Sequence, residues 1–270
     1  MPHVLFGVRI DDLTVAEFCD RVRQWLGMEE RRVIFTPNAE VLLLARSNEI
    51  FRELLNQSDL SIPDSVSLCF AIAALTDGKL RSRIPGVDAL QMIAQVCEQQ
   101  HKRLVLLGGE HGVATQAAEA LRRRHSILNV VGYDPGKIPF DGKRVLIEET
   151  VVEKLRTLAP DVVAVALGQG RQEFAIALLK GYLSGVKIWI AVGGALDMIA
   201  GSRPRAPQWL QRFGFEWLWR VAIEPRRWRR TMNAAVVFPL LVISSTLKSH
   251  RLLRALRRVA RELVLQWKGL

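Results

Sequence analysis

Cysteine is nearly absent from this 270-residue chain: Cys19, Cys69 and Cys97 are its only three, and no two stand in a CxxC spacing. That argues against a disulfide scaffold or a thiolate metal site, and for buried thiols in a reducing compartment. The five histidines, His3, His101, His111, His125 and His250, are scattered and no DxD occurs. Neither a metal site nor a bound cofactor is therefore expected. The amino terminus has no basic run, and its short apolar stretch meets Asp11 and Asp12 too early for a signal peptide. The expected setting is the cytoplasm. The apolar stretch at 233–247 is interrupted by Pro239 and is shorter than the ~20 residues a spanning helix needs. It reads as an interfacial or re-entrant piece.

Positive charge is in excess, and all of the excess lies at one end. The net charge is +11, yet residues 201–270 carry 15 Lys and Arg against 3 acidic residues, and residues 1–200 carry 23 against 24. The same tail holds five of the seven tryptophans, Trp209, Trp217, Trp219, Trp228 and Trp267. A neutral body with a basic, Trp-rich end calls for an anionic partner at that end. The hydrophobic share of 49% and charged share of 24% are those of a globular protein.

Apolar runs at 31–36, 103–109, 129–134, 161–168 and 186–194 alternate with amphipathic stretches at 87–100, 112–125 and 172–183. Consecutive rather than alternating apolar residues predict strands covered on both faces, and the rhythm predicts an α/β, Rossmann-like doubly wound, mostly parallel sheet. Residues 1–200 are expected to form this α/β unit, with a subregion before residue 100 left open. Residues 201–232 form a basic helical appendage, and 233–270 an amphipathic, membrane-associating segment. In its last part Leu252, Leu256, Val259, Leu263 and Trp267 recur at helical spacing, with Arg251, Arg254, Arg257, Arg258 and Arg261 mainly off that stripe. An anionic bilayer surface suits such a helix. Packing on the body or on a second subunit is the alternative. Deleting 233–270 is expected to abolish vesicle binding and leave transfer to a soluble acceptor unchanged.

Glycine-bearing turns follow several strands. Gly108, Gly109 and Gly112 stand in "LLGGEHGVA", Gly168 and Gly170 in "ALGQGRQE", and Gly193 and Gly194 in "VGGALDMIAG". Each alone is a tight connection; together, at the carboxyl ends of parallel strands, they suit a nucleotide or nucleotide sugar. No Lys-Ser/Thr follows them, which disfavours a P-loop nucleotidase. Earlier strand ends bring out Thr36 and Asn38 in "FTPNAE" and Asp64 in "LSIPDSVS". A carboxylate there suits proton transfer from a substrate hydroxyl; the alternative is that Asp64 and Asn38 cap the helices that follow them.

The blocks "TPNAEVLLLARSNEIFRELLNQSDLSIPDSVS", "RIPGVDALQMI", "LLGGEHGVA", "PDVVAVALGQGRQE" and "VGGALDMIAGSRPRAPQWLQRFGFEWLWRVAIEPRRWRR" resemble, in order and spacing, the WecG/TagA/CpsF glycosyltransferases from about residue 5 to 230. The resemblance implies inverting, metal-independent transfer of an N-acetylmannosamine-type or related hexose. The donor it implies is a UDP-sugar, and the acceptor a polyprenyl-diphosphate-linked sugar on the cytoplasmic membrane face. It makes Asp64 the general base, sets Thr36 and Asn38 beside it, and matches Gln172 to a pocket glutamine. It assigns arginines of the appendage to the diphosphate: Arg220 by alignment, and others among Arg226, Arg227, Arg229 and Arg230, with Arg227 and Arg230 taken as substrate-binding. Two departures stand out. Ser65 follows the base where the family usually has Gly, and Gly170-Arg171 replaces the usual Pro-Lys.

Three rivals remain: an NAD-binding Rossmann enzyme, a basic adaptor for membrane or nucleic acid, and a catalytically silent family member. "GGEHG" lacks the full GxGxxG. Nucleic acid would leave the Leu/Val/Trp stripe of the tail unsatisfied, so no nucleic-acid partner is expected.

Overall fold

In a computed structural model the described residues are 2–110, 112–212, 216–223, 228–250 and 252–268; Arg212, Trp217, Arg220, Arg229, Arg230 and Lys268 are described by their backbone alone. Six parallel strands form the central sheet: β3 (Arg32–Phe35), β4 (Leu60–Ser61), β5 (Leu104–Gly108), β6 (Val130–Tyr133), β7 (Val162–Ala166) and β8 (Ile188–Ala191). Their order is β4-β3-β8-β7-β5-β6. Every residue of β5, β7 and β8 is buried, as the unbroken apolar runs predict for strands covered on both sides.

Successive side chains divide between the two faces. Ile34, Leu104, Leu106, Val162, Ala164 and Ile190 meet helices α1 (Val15–Leu26), α5 (Gly86–Gln99), α6 (Val113–Arg124) and α9 (Ala195–Ala200). Val33, Phe35, Val105, Leu107, Val163 and Trp189 meet α2 (Ala39–Ser47), α3 (Glu49–Asn56), α4 (Val66–Leu75), α7 (Glu149–Leu158) and α8 (Arg171–Tyr182). The fold is thus doubly wound, and no separate subregion stands before residue 100, because β3 and β4 belong to the same sheet. The helices that follow β3, β8, β7 and β5 lie on alternating faces, so the connections diverge and leave a crevice along the carboxyl edge.

A hairpin, β1 (His3–Leu5) with β2 (Val8–Ile10), escapes the sequence reading because each strand has only three residues. It leads to Asp11, whose N–H donates to Ser61 O and whose carboxylate accepts Ser61 N–H, both at 2.8 Å. These bonds occupy part of the edge strand β4.

The basic end is helical: α10 (Gln208–Arg212), α11 (Glu216–Ile223), α12 (Trp228–Met232), a π-helical turn at Asn233–Val237, α13 (Phe238–Lys248) and α14 (Leu252–Lys268). Residues 233–247 are therefore helical. Pro239 has no N–H and crowds the preceding turn, and the wider π turn just before it accommodates that. Phe238 is 1% exposed and belongs to the core under α2 and α4. α14 packs on α4 and α10. Ala255 and Glu262 face inward, and the Arg258 guanidinium donates to Thr76 O and Asp77 at the far end of α4. Of the predicted stripe, Leu256, Leu263 and Trp267 are exposed, together with Leu253 and Val264 beside them, whereas Leu252 and Val259 are half-buried. Packing on the body and an outward apolar face thus coexist, a combination the sequence reading set up as alternatives. Cys69 and Cys97 are buried, and burial pushes both thiols up to about 12; Cys19 is only half-buried.

Candidate active site

The carboxyl edge is laced together by the residues that leave the strands. Thr36, just past β3, donates its hydroxyl to Ala191 O at the end of β8, 2.8 Å away. Asp64, three residues past β4, accepts Gly86 N–H on Oδ1 at 2.7 Å, and its own N–H donates to Pro37 O at 3.0 Å. Gly86 opens α5, so the carboxylate sits on the N-terminal amide of a helix, where partial positive charge favours an anion. A Cβ on Gly86 would lie 3.4 Å from both Thr36 Oγ1 and Val192 O, so α5 starts in close contact with the two strand ends.

The capping alternative therefore divides. Asn38 does cap α2, accepting Val41 N–H at 3.1 Å. Asp64 does not cap α4, whose N-cap is Ser65; it reaches across to a different helix.

Gln172 is buried in the first turn of α8. Its Oε1 accepts Gly193 N–H at 3.0 Å, and its Nε2 donates to Glu173 at 2.8 Å. The side chain thus clamps the loop after β8 to the start of α8. Gly193 has φ +52 and Gly194 is the N-cap of α9. Gly108 and Gly109 end β5, with φ +106 and +78. A Cβ on Gly108 would come 2.6 Å from Ala166 O, the carbonyl that accepts Gly109 N–H at 3.1 Å. Only glycine allows that approach to β7.

Thr36, Asn38, Asp64, Gly193, Gly194 and Gln172 thus gather around β3, β4 and β8. Gly108 and Gly109 stand apart at β5, three strand spacings from β3, roughly 14 Å at ~4.8 Å each. Of the arginines named from sequence, Arg227 lies outside the described residues, as does Arg226. Arg220 and Arg230 are on α11 and α12, and their side chains also lie outside what is described.

Sequence reading missed Arg83, Gly86, Asp88 and Arg205. Beside Asp64 opens a cleft of about 550 Å³ lined by Arg83, Asp88, Arg205, Gln208 and Gln211, among others. Arg83 Nη1 lies 3.4 Å from Asp64 O. Arg205 binds both oxygens of Asp88, at 2.7 and 2.8 Å. The available signal was "IPG" ahead of an amphipathic stretch, which marks a helix start, with an acidic residue in its first turn. Among the described residues no group of three or more His, Cys, Asp or Glu side chains is arranged to hold a metal ion.

The chain is similar to proteins named N-acetylglucosaminyldiphosphoundecaprenol N-acetyl-beta-D-mannosaminyltransferase. It is 28% identical to that of Bacillus spizizenii W23 over 209 residues, covering 77% of this chain and 78% of that one. The Bacillus subtilis 168 protein is 29% identical over 212 residues, covering 78% and 79%. The Staphylococcus aureus MRSA252 protein is 26% identical over 228 residues, covering 84% and 85%. A family model for the WecG/TagA/CpsF glycosyl transferases matches residues 3–252, a span that takes in both sheets and the whole carboxyl edge. This chain belongs to the WecG/TagA/CpsF glycosyl transferase family.

Proposed function

We propose that the protein transfers a hexose of the N-acetylmannosamine type from a UDP donor to a polyprenyl-diphosphate-linked sugar, with inversion and without a metal ion, in cell-surface polysaccharide synthesis. The relatives' names supply the acceptor and sugar class. The observation that carries the reading is the Asp64 carboxylate, held on the α5 amide beside an arginine-lined cleft.

In this reaction the acceptor hydroxyl attacks the anomeric carbon, its proton passes to the Asp64 carboxylate, and the bond to the diphosphate oxygen breaks with its electron pair leaving on UDP. A single carboxylate suffices for such a displacement. Guanidinium groups and helix N-termini answer the charge growing on the leaving diphosphate. Arg83 is placed for that role, and Arg220, Arg227 and Arg230 are assigned to it by the family resemblance. Thr36 and Gln172 hold the strand ends that shape the pocket.

The acceptor's lipid brings the reaction to a membrane surface. No described helix is long and apolar enough to cross one. We assign contact with an anionic leaflet to the outward face of α13 and α14, where exposed Leu247 and Leu253 stand with Arg254 and Arg257 and exposed Leu256 and Trp267 lie further along α14. This gives a peripheral enzyme of the cytoplasmic face.

Screening UDP-sugars against a short polyprenyl-diphosphate-GlcNAc analogue tests the reading. One donor is expected to give an inverted glycosidic product at a rate unaffected by EDTA. Strict dependence on added Mg²⁺ or Mn²⁺ would overturn the metal-free mechanism, and absence of transfer from every donor would overturn the assignment.

A further inference from the structure

Two carboxylates share the start of α5. Asp64 accepts the first amide of the helix, from Gly86, and Asp88 stands two residues further on in the same turn. A second anion this close would raise the proton affinity of Asp64. Arg205 meets Asp88 with both ends of its guanidinium, at 2.7 and 2.8 Å, the planar fork that lysine cannot reproduce. Arg205 enters from the chain that leads into the C-terminal helices, and both residues line the cleft beside Asp64.

We propose that Asp88 and Arg205 are a charge-balanced positioning pair for Asp64, fastening the entry of the C-terminal helices to α5 and balancing each other so that the proton affinity of Asp64 is set by the pair and not by either charge alone. The inference rests on Asp64 being the general base. Arg205 is held further into its charged form, first by its bonds to Asp88, against the desolvation of its burial, and also by the negative charges of Asp88, Glu216 and Asp64. Other charged groups on the surrounding elements are Arg83 on the loop after α4 and Glu216 on α11. Asp197 on α9 is paired with Arg203, Glu40 opens α2, and Glu262 of α14 faces α4. Cys69 on α4 is neutral at ordinary pH.

The test is the titration of Asp64 in the full chain, labelled with ¹³Cγ-aspartate, its signal assigned by loss in Asp64→Asn. Arg205→Gln is expected to raise the midpoint by about half a pH unit or more, leaving Asp88 uncompensated, and Asp88→Asn to lower it by a similar amount. The double variant returns the midpoint to the wild-type value. A purely structural role predicts no such reversal of sign. Shifts in one direction, no shift, or a double variant that fails to return would overturn the inference. Should Arg205→Gln not fold, Asp88→Asn carries the test: its midpoint is expected to fall, and an unmoved or raised midpoint overturns the inference. Transfer rates separate the two readings. A wild-type rate in Asp64→Asn removes the base and the purpose of the pair together. A loss of about 10²-fold or more there, with an unmoved midpoint in Arg205→Gln, overturns the pairing alone.

Discussion

Asp64 takes its position from backbone groups on two other segments, Gly86 N–H and Pro37 O, so its own side chain contributes charge more than architecture. Asp64→Asn is therefore expected to keep the melting temperature within a few degrees of wild type while lowering the transfer rate ~10²–10⁴-fold, the usual cost of a lost general base. Initial rates and thermal melts on one preparation check both halves. Gly132, in β6, makes the opposite case. A Cβ there would meet the Ala114 backbone at 2.2 Å, where only main chain could give way. Gly132→Ala is expected to destabilise the fold by about 1–3 kcal/mol, measured by denaturant unfolding, and to leave the substrate dependence of the folded fraction unchanged.

At the scale of elements, α4 ties the basic end to the chemistry. It is apolar over nearly its whole circumference and begins two residues after Asp64; α13 and α14 cover its outer side. Residues 233–270 are consequently a structural part of the enzyme, and the expectation that their deletion spares transfer to a soluble acceptor gives way to a different one. Truncation after Lys248 is expected to lower the melting temperature and the transfer rate together, because α4 loses its cover and the Arg258 bonds at its far end. Phe238→Ala is expected to cost about 3–5 kcal/mol, as for a fully buried aromatic, read from urea unfolding curves. An α14 truncation with wild-type stability and rate would show that α4 does not need its cover.

Over the whole chain, charge and exposed apolar side chains fall in the same segment. The stripe of α14, with Leu253 76% and Trp267 58% exposed, lies on the segment that carries the entire excess of positive charge. The full chain is expected to sediment with vesicles containing anionic lipid and to be released as salt rises, since exposed charges are screened beyond ~8 Å at physiological ionic strength. Replacing Leu253, Leu256 and Trp267 together by Ser should weaken that binding while leaving the melting temperature unchanged, because these side chains point away from α4. Undiminished sedimentation of the triple variant would move the docking face elsewhere.

The sequence by itself determined a mostly parallel sheet covered on both faces, but not the order of its strands. Strands buried on both faces need unbroken apolar runs, and the runs at 103–109, 161–168 and 186–194 hold β5, β7 and β8 within their limits. Thr36, Asn38 and Asp64 were legible because they leave strands at places where a doubly wound sheet meets its ligands; Gln172 was named by the family resemblance alone. Only the tertiary structure decided what each of them touches. Nothing local distinguishes Asn38, which caps its own helix, from Asp64, which reaches the amide of another; that choice depends on how α5 crosses to β3 and β8. The pairing of Asp88 with Arg205 joins residues 117 positions apart, and no helical or strand period links them. The orientation of α14 was equally hidden, since an amphipathic period names an apolar face without saying whether protein covers it. Here α4 takes the side of Ala255 and Glu262, with Leu252 and Val259 half-buried, and Leu253, Leu256, Leu263 and Trp267 are left outward because α4 meets only one face of the helix.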